Sequence, residues 1–207
     1  MNSDLPDVQQ MAVALEIGPK RRVFAQAQDW PGWCRAGKGE ATALTQLFSV
    51  GSRYAQVAER AGLPFTALTS SEQFVVVERV PGTAVTDFGA LSTLFASDLE
   101  PLAESDIERF ARLITACWAT FDEALQRVPT DSLDVKPQRG RSPSAIRLHL
   151  LEADLMHLSA FGPAFKQPFP VQVAEQERAT REQFLVHLRE TPRNEIAVPR
   201  SRYGFAF

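Results

Sequence analysis

The spacing of apolar residues changes character part-way along this chain, and that change constrains the fold more than any other feature. Up to residue 81, apart from one helical stretch over 40–61, the apolar side chains fall in short strand-like runs, while beyond residue 104 they recur every three or four positions. β-Branched runs suit a pleated, half-buried surface, and the three-four spacing lines one face of a helix. The order predicts an α+β fold in which a small N-terminal sheet unit precedes an antiparallel helical bundle.

Val13-Ala14-Leu15-Glu16-Ile17 and Arg22-Val23-Phe24-Ala25-Gln26-Ala27 are strand-like runs separated by Gly18-Pro19-Lys20, which predicts a hairpin. Asp29-Trp30-Pro31-Gly32-Trp33 interrupts the sheet, because proline lacks a ladder donor and Pro-Gly favours a turn. Between 40 and 61, Leu44, Leu47, Phe48, Ala55 and Ala58 keep helical spacing, and Gly62 and Pro64 stop the helix. Phe74-Val75-Val76-Val77-Glu78-Arg79-Val80, closed by Pro81-Gly82, is the clearest strand. Residues 1–82 thus form an expected ββαβ unit. Residues 83–104 mix Gly, Ser, Asp and Pro with scattered Leu and Phe, the composition of an ordered linker.

In the expected helical region, 105–207, Ser105 and Glu108 make a capping pattern. Ile107, Phe110, Ala111, Ile114, Trp118, Phe121 and Leu125 then hold one face for five turns. Ser142-Pro143 sets a capping hydroxyl before a first-turn proline, starting a helix that runs to about residue 160. A third helix is predicted over 173–189, and the polar, proline-bearing residues 128–141 form an exposed loop.

Composition removes several function classes. An apolar fraction of 44% with 23% charged residues is that of a globular chain. A net charge of −3 and the absence of a basic strip argue against a nucleic-acid partner. Cys34 and Cys117 have no ligand-like spacing, so both read as reduced thiols, Cys117 in the core. Asp4 and Asp7 stand where a signal peptide needs basic residues, and no apolar stretch has membrane-spanning length, so the expected location is cytoplasmic with no membrane partner. No GxSxG elbow, phosphate loop, dinucleotide fingerprint or HExxH occurs.

Histidine-based sites are quickly enumerated, since only His149, His157 and His187 exist. On one helix His149 and His157 would stand about 12 Å apart along the axis and about 80° apart around it, too far to share an ion. His149 and Glu152, at i and i+3, project to neighbouring sides but need further ligands from elsewhere. The plainer reading makes His149, set among Ile146, Leu150, Ala153 and Met156, a partly buried structural histidine with its hydrogen bond satisfied. His157 reads as a surface or capping residue near a helix end. His187 lies on a helix whose Glu175, Glu177, Glu182, Arg178, Arg181 and Arg189 suggest a solvated face. Trp30, Trp33 and Phe24 form either an aromatic patch for a ligand or partner, or core packing against the 40–61 helix.

Two stretches resemble known families. Val23-Phe24-Ala25-Gln26-Ala27, Asp29-Trp30-Pro31-Gly32-Trp33-Cys34, the turn Ala36-Gly37-Lys38-Gly39-Glu40 and then Ala43-Leu44 resemble the HicB-like antitoxin fold, over about 30 residues. That resemblance implies a small sheet with a helix on one face, and self-association or partner binding as for an antitoxin. Ile146-Arg147-Leu148-His149-Leu150-Leu151-Glu152-Ala153-Asp154 resembles the histidine-bearing helix of DinB and YfiT-like four-helix proteins. In that family this histidine joins an H-x-x-x-H pair to hold a divalent metal, zinc or nickel, used by some members for thiol-dependent transfer. His149 is the matching position, and this sequence contains no H-x-x-x-H.

The resulting expectation is a DinB-like binding or structural protein with an incomplete metal site and no cofactor. Two alternatives stand beside it. One is a metal- and thiol-dependent transferase or hydrolase using His149 with Glu152 or Asp154, ligands from another subunit and a small-molecule thiol. The other is an antitoxin-like partner-binding protein. A helical layer with an uncovered apolar stripe also predicts a homodimer.

Overall fold

The computed structural model describes residues 9–159 and 173–190. The fold is α+β, and the described residues divide into one compact unit up to Pro101 and a second from Leu102.

The first unit is built on four strands, β1 (Met11–Ile17), β2 (Arg22–Ala27), β3 (Cys34–Lys38) and β4 (Phe74–Pro81), in the order β3-β2-β1-β4. β1–β2 and β2–β3 are antiparallel, whereas β4 runs parallel to β1. A parallel neighbour needs a crossover, supplied here by α1 (Glu40–Ser49) and α2 (Gly51–Arg60). The expected hairpin forms as read: Gly18 N–H donates to Arg22 O at 2.8 Å, and Arg21 takes φ 71° to close the turn.

The expected ββαβ order gains a strand. The turn at Pro31-Gly32, with Gly32 at φ 86°, reverses the chain so that residues 34–38 pair with β2. Gly37 is required in that strand by close approach: a Cβ there would stand 2.3 Å from Ala43 N on α1. The single helix expected over 40–61 is broken at Val50 (φ −107°, ψ 3°). Trp33 explains the break, because its indole N–H donates to Leu47 O at 2.9 Å and its ring lies against Gly51. The bend wraps both helices around one buried indole.

One sheet face packs on these helices through Val13, Leu15, Val23, Ala25 and Ala27, all buried. Trp33, 1% exposed, stacks on Tyr54 at 5.6 Å and meets Phe65 and Phe74 edge-on. The tryptophan cluster near the proline turn is therefore core, whereas Phe24, between Val23 and Ala25 on β2, falls on the other sheet face. Trp30 joins its rim against Tyr54 and Phe65.

Residues 83–101, expected as linker, belong to this unit and return across the sheet as a strap. They contain the short α3 (Ala84–Phe88) and a 3-10 turn at Ala96–Leu99, and they carry Phe95 into the core. Carboxylates tie the strap down. Asp87 accepts from Lys20 N at 2.7 Å, and Glu78 accepts from Ala96 N at 3.1 Å. Glu16, fully buried on β1, accepts from Ser92 N and Thr93 N at 3.0 Å and from the Thr86 and Ser92 hydroxyls. Gly82 keeps that corner open, since a Cβ there would stand 2.9 Å from Glu16 Oε1.

The second unit consists of α4 (Glu104–Gln126), α5 (Pro143–Leu158) and α6 (Val173–Glu190). Ser105, expected to cap α4, lies inside its first turn. The capping role passes to Asp106, whose carboxylate accepts from Ala103 N at 3.0 Å. Ser142 caps α5 as expected, accepting from Ala145 N at 3.3 Å. The pairs Asp122–Arg181, Trp118–Phe184 and Glu108–Arg189 set α6 antiparallel to α4. Arg147–Glu177 near the starts of both helices, with Trp118 meeting both Asp154 and Phe184 further along, sets α6 parallel to α5. The expected antiparallel order thus holds against α4 but not between α5 and α6. Cys117, expected in the core, is exposed on α4.

Glu16→Ala is expected to lower stability by about 3–5 kcal/mol, because it strands several buried donors at once. Urea unfolding of the two proteins checks this, and an equal midpoint would refute the clamp.

Candidate functional site

The residues singled out for metal chemistry fall on two different sides of α5. Ser142 and Pro143 start the helix, and from that start His149 and Glu152 project outward on adjacent turns. They line an open cleft of about 360 Å³ together with Lys136, Gly140, Arg141, Ser142, Ala145 and Leu148. His149 is exposed, which corrects the partly buried reading. Its flanking residues Ile146, Leu150 and Met156 are themselves 39–47% exposed.

Asp154 turns the other way. Five residues beyond His149 it lies roughly 140° around the helix, and its carboxylate accepts the Trp118 indole N–H at 3.0 Å. His149 and Glu152 are thus brought together and Asp154 is not. Among the described residues no three His, Cys, Asp or Glu side chains converge as a metal-binding group. A tetrahedral or open three-ligand site needs at least one donor more than His149 and Glu152 provide.

The inner side of α5 faces a polar cluster that sequence periodicity misses. Arg147 makes a two-pronged pair with Glu177 at 2.8 and 2.5 Å, and Glu177 is only 8% exposed. Arg181 pairs with Asp122 at 2.6 and 3.0 Å and lies 5.4 Å from the Trp118 ring centre. Arg189 holds Glu108. The face of α6 expected to be solvated therefore carries the pairs that seat this helix. Breaking one partner of such a pair leaves a stranded charge, whereas two-point geometry fixes register.

Burial raises the Asp154 carboxyl above its ordinary range, against the pull of Trp118, Arg181 and His157. Burial also lowers the His157 imidazole, with Asp154 opposing. His157 is accordingly a half-buried member of this cluster rather than a surface cap. Cys34 is no nucleophile: burial pushes its thiol up to about 12, where almost no thiolate exists at neutral pH. His187 sits over its own helix, its Nδ1 2.9 Å from Gln183 O. No helix among the described residues is long and apolar enough to cross a membrane.

His157 gives a testable pH dependence. Its folded imidazole binds a proton less readily than the unfolded one, whose ordinary value is 6.5. Stability should therefore fall as pH drops below about 6.5 toward the lowered folded value. Asp154 acts with the opposite sign, so the comparison is made by removing His157 alone. His157→Gln is expected to flatten the slope just below pH 6.5 in denaturant titrations followed by circular dichroism, and an unchanged slope would refute it. Comparison with protein-family models, curated proteins and solved structures gives no match to this chain.

Proposed function

We propose that this chain is a binding protein with a DinB/YfiT-like helical unit, an incomplete metal site and a HicB-like front. The observation that carries the reading is the donor geometry around His149. One imidazole and one carboxylate share the cleft, Asp154 is engaged with Trp118, and no third donor joins them among the described residues. Those two groups do not fit the family's metal. The free thiols Cys34 and Cys117 accord with a reducing, cytoplasmic setting.

The competing reading, a metal- and thiol-dependent transferase or hydrolase, draws support from the exposure of His149, which lets ligands from another copy approach. Metal analysis separates the two. Purified protein is expected to retain no stoichiometric zinc or nickel, whereas stoichiometric metal that disappears in His149→Ala would establish the enzyme reading.

Self-association is the second part of the proposal. The HicB resemblance implies it, the strand order with a helical crossover on one face supports that resemblance, and the outward residues Ile146, Leu150 and Met156 of α5 leave apolar surface to cover. A concentration-dependent homodimer is expected in sedimentation equilibrium. A strictly monomeric profile at high concentration would remove this part while leaving the metal reading intact.

A further inference from the structure

We infer that the cleft beside the start of α5 takes a small amphiphilic anion, an oxyanion head group on a short apolar body. The inference deepens the binding-protein reading by naming a ligand class for this cleft, and it does not depend on the metal count. Two cations, Lys136 and Arg141, line it against a single carboxylate, Glu152. Ser142 and His149 add a hydroxyl and an imidazole to the same wall, and Ala145 and Leu148 supply an apolar surface between them. A cleft lined by both donors and apolar side chains suits a ligand with a charged end and a hydrocarbon body.

The cations of the cleft are uncommitted, unlike the arginines that seat α6. Arg147, Arg181 and Arg189 are each held by a carboxylate through two hydrogen bonds. Lys136, Arg141 and His149 have no such partner among the described residues. Gly140, at φ 103°, turns the loop so that residues on both sides of it line the cleft. The backbone amides of the first helical turn are not the recognition element. Ser144 N–H is spent on Leu133 O at 3.0 Å and Ala145 N–H on Ser142 Oγ. Recognition therefore falls to the side chains, with the positive end of the α5 dipole adding a smaller attraction. Arg141 offers a planar fork for two oxygens of one head group.

The test is calorimetric titration of the full chain in chelator at fixed ionic strength, with hexyl phosphate, hexanoate, inorganic phosphate and hexanol as probes. Saturable one-to-one binding of hexyl phosphate or hexanoate is expected, and the tighter of the two names the head group. Inorganic phosphate should bind at least tenfold more weakly and hexanol not at all. In the double variant Lys136→Gln, Arg141→Gln the affinity should fall at least tenfold with the circular dichroism spectrum unchanged, since both positions are exposed. Absence of saturable binding, equal binding of hexanol, or an affinity unchanged in the double variant would each overturn the inference. Because chelator is present throughout, these outcomes leave the metal measurement untouched.

Discussion

A buried carboxylate with no counterion among the described residues is the constraint on which the N-terminal unit turns. Burying a charge is costly unless hydrogen bonds replace its water, and Glu16 meets that demand entirely with neutral donors from residues 86–93. The strap and the charge thus require each other. With the strap seated, β1 is buried over nearly its whole length. Without it, one face of the sheet would lie bare and the carboxylate would pull water into the core. Asp87 and Glu78 repeat the device at other points, accepting backbone N–H groups that no helix or sheet satisfies.

The helical unit uses charge differently. Its interhelix pairs join opposite signs, and each is two-pronged, so they specify which turn of α6 meets which turn of α4 and α5. Apolar ridges alone tolerate sliding by a turn, and such pairs do not. Among the described residues the outward side of α5 has no comparable ties, and it is there that His149, Glu152 and the loop cations stand. Within one helix, then, the committed polar groups are architectural and the uncommitted ones face solvent.

Much of this was legible because single residues carry strong local signals. Ser142-Pro143 marks the start of α5, and the valine run of β4 and the Gly18-Pro19 turn fall where periodicity and turn chemistry place them. What was not legible depends on contacts distant in sequence. β3 lacks β-branched residues and exists because Gly37 lets α1 press against it. The break at Val50 follows from an indole arriving from Trp33. The charges of α6 look solvated in a linear reading, since nothing in the sequence shows that Asp122 and Arg147 stand opposite Arg181 and Glu177. Likewise, helical spacing puts His149 and Glu152 together, but only the fold turns Asp154 toward Trp118.

The parallel pairing of β1 with β4 has a consequence for how the chain comes into being. β1, β2 and β3 are joined by short turns and can zip together as soon as they leave the ribosome. The ladder from Met11 to Pro81, by contrast, waits for some sixty further residues and the closing of a long loop. During that wait β1 presents an unsatisfied edge to the cell. Nascent chains halted before residue 81 are therefore the aggregation-prone form of this protein, and chaperones would meet it at that stage of synthesis.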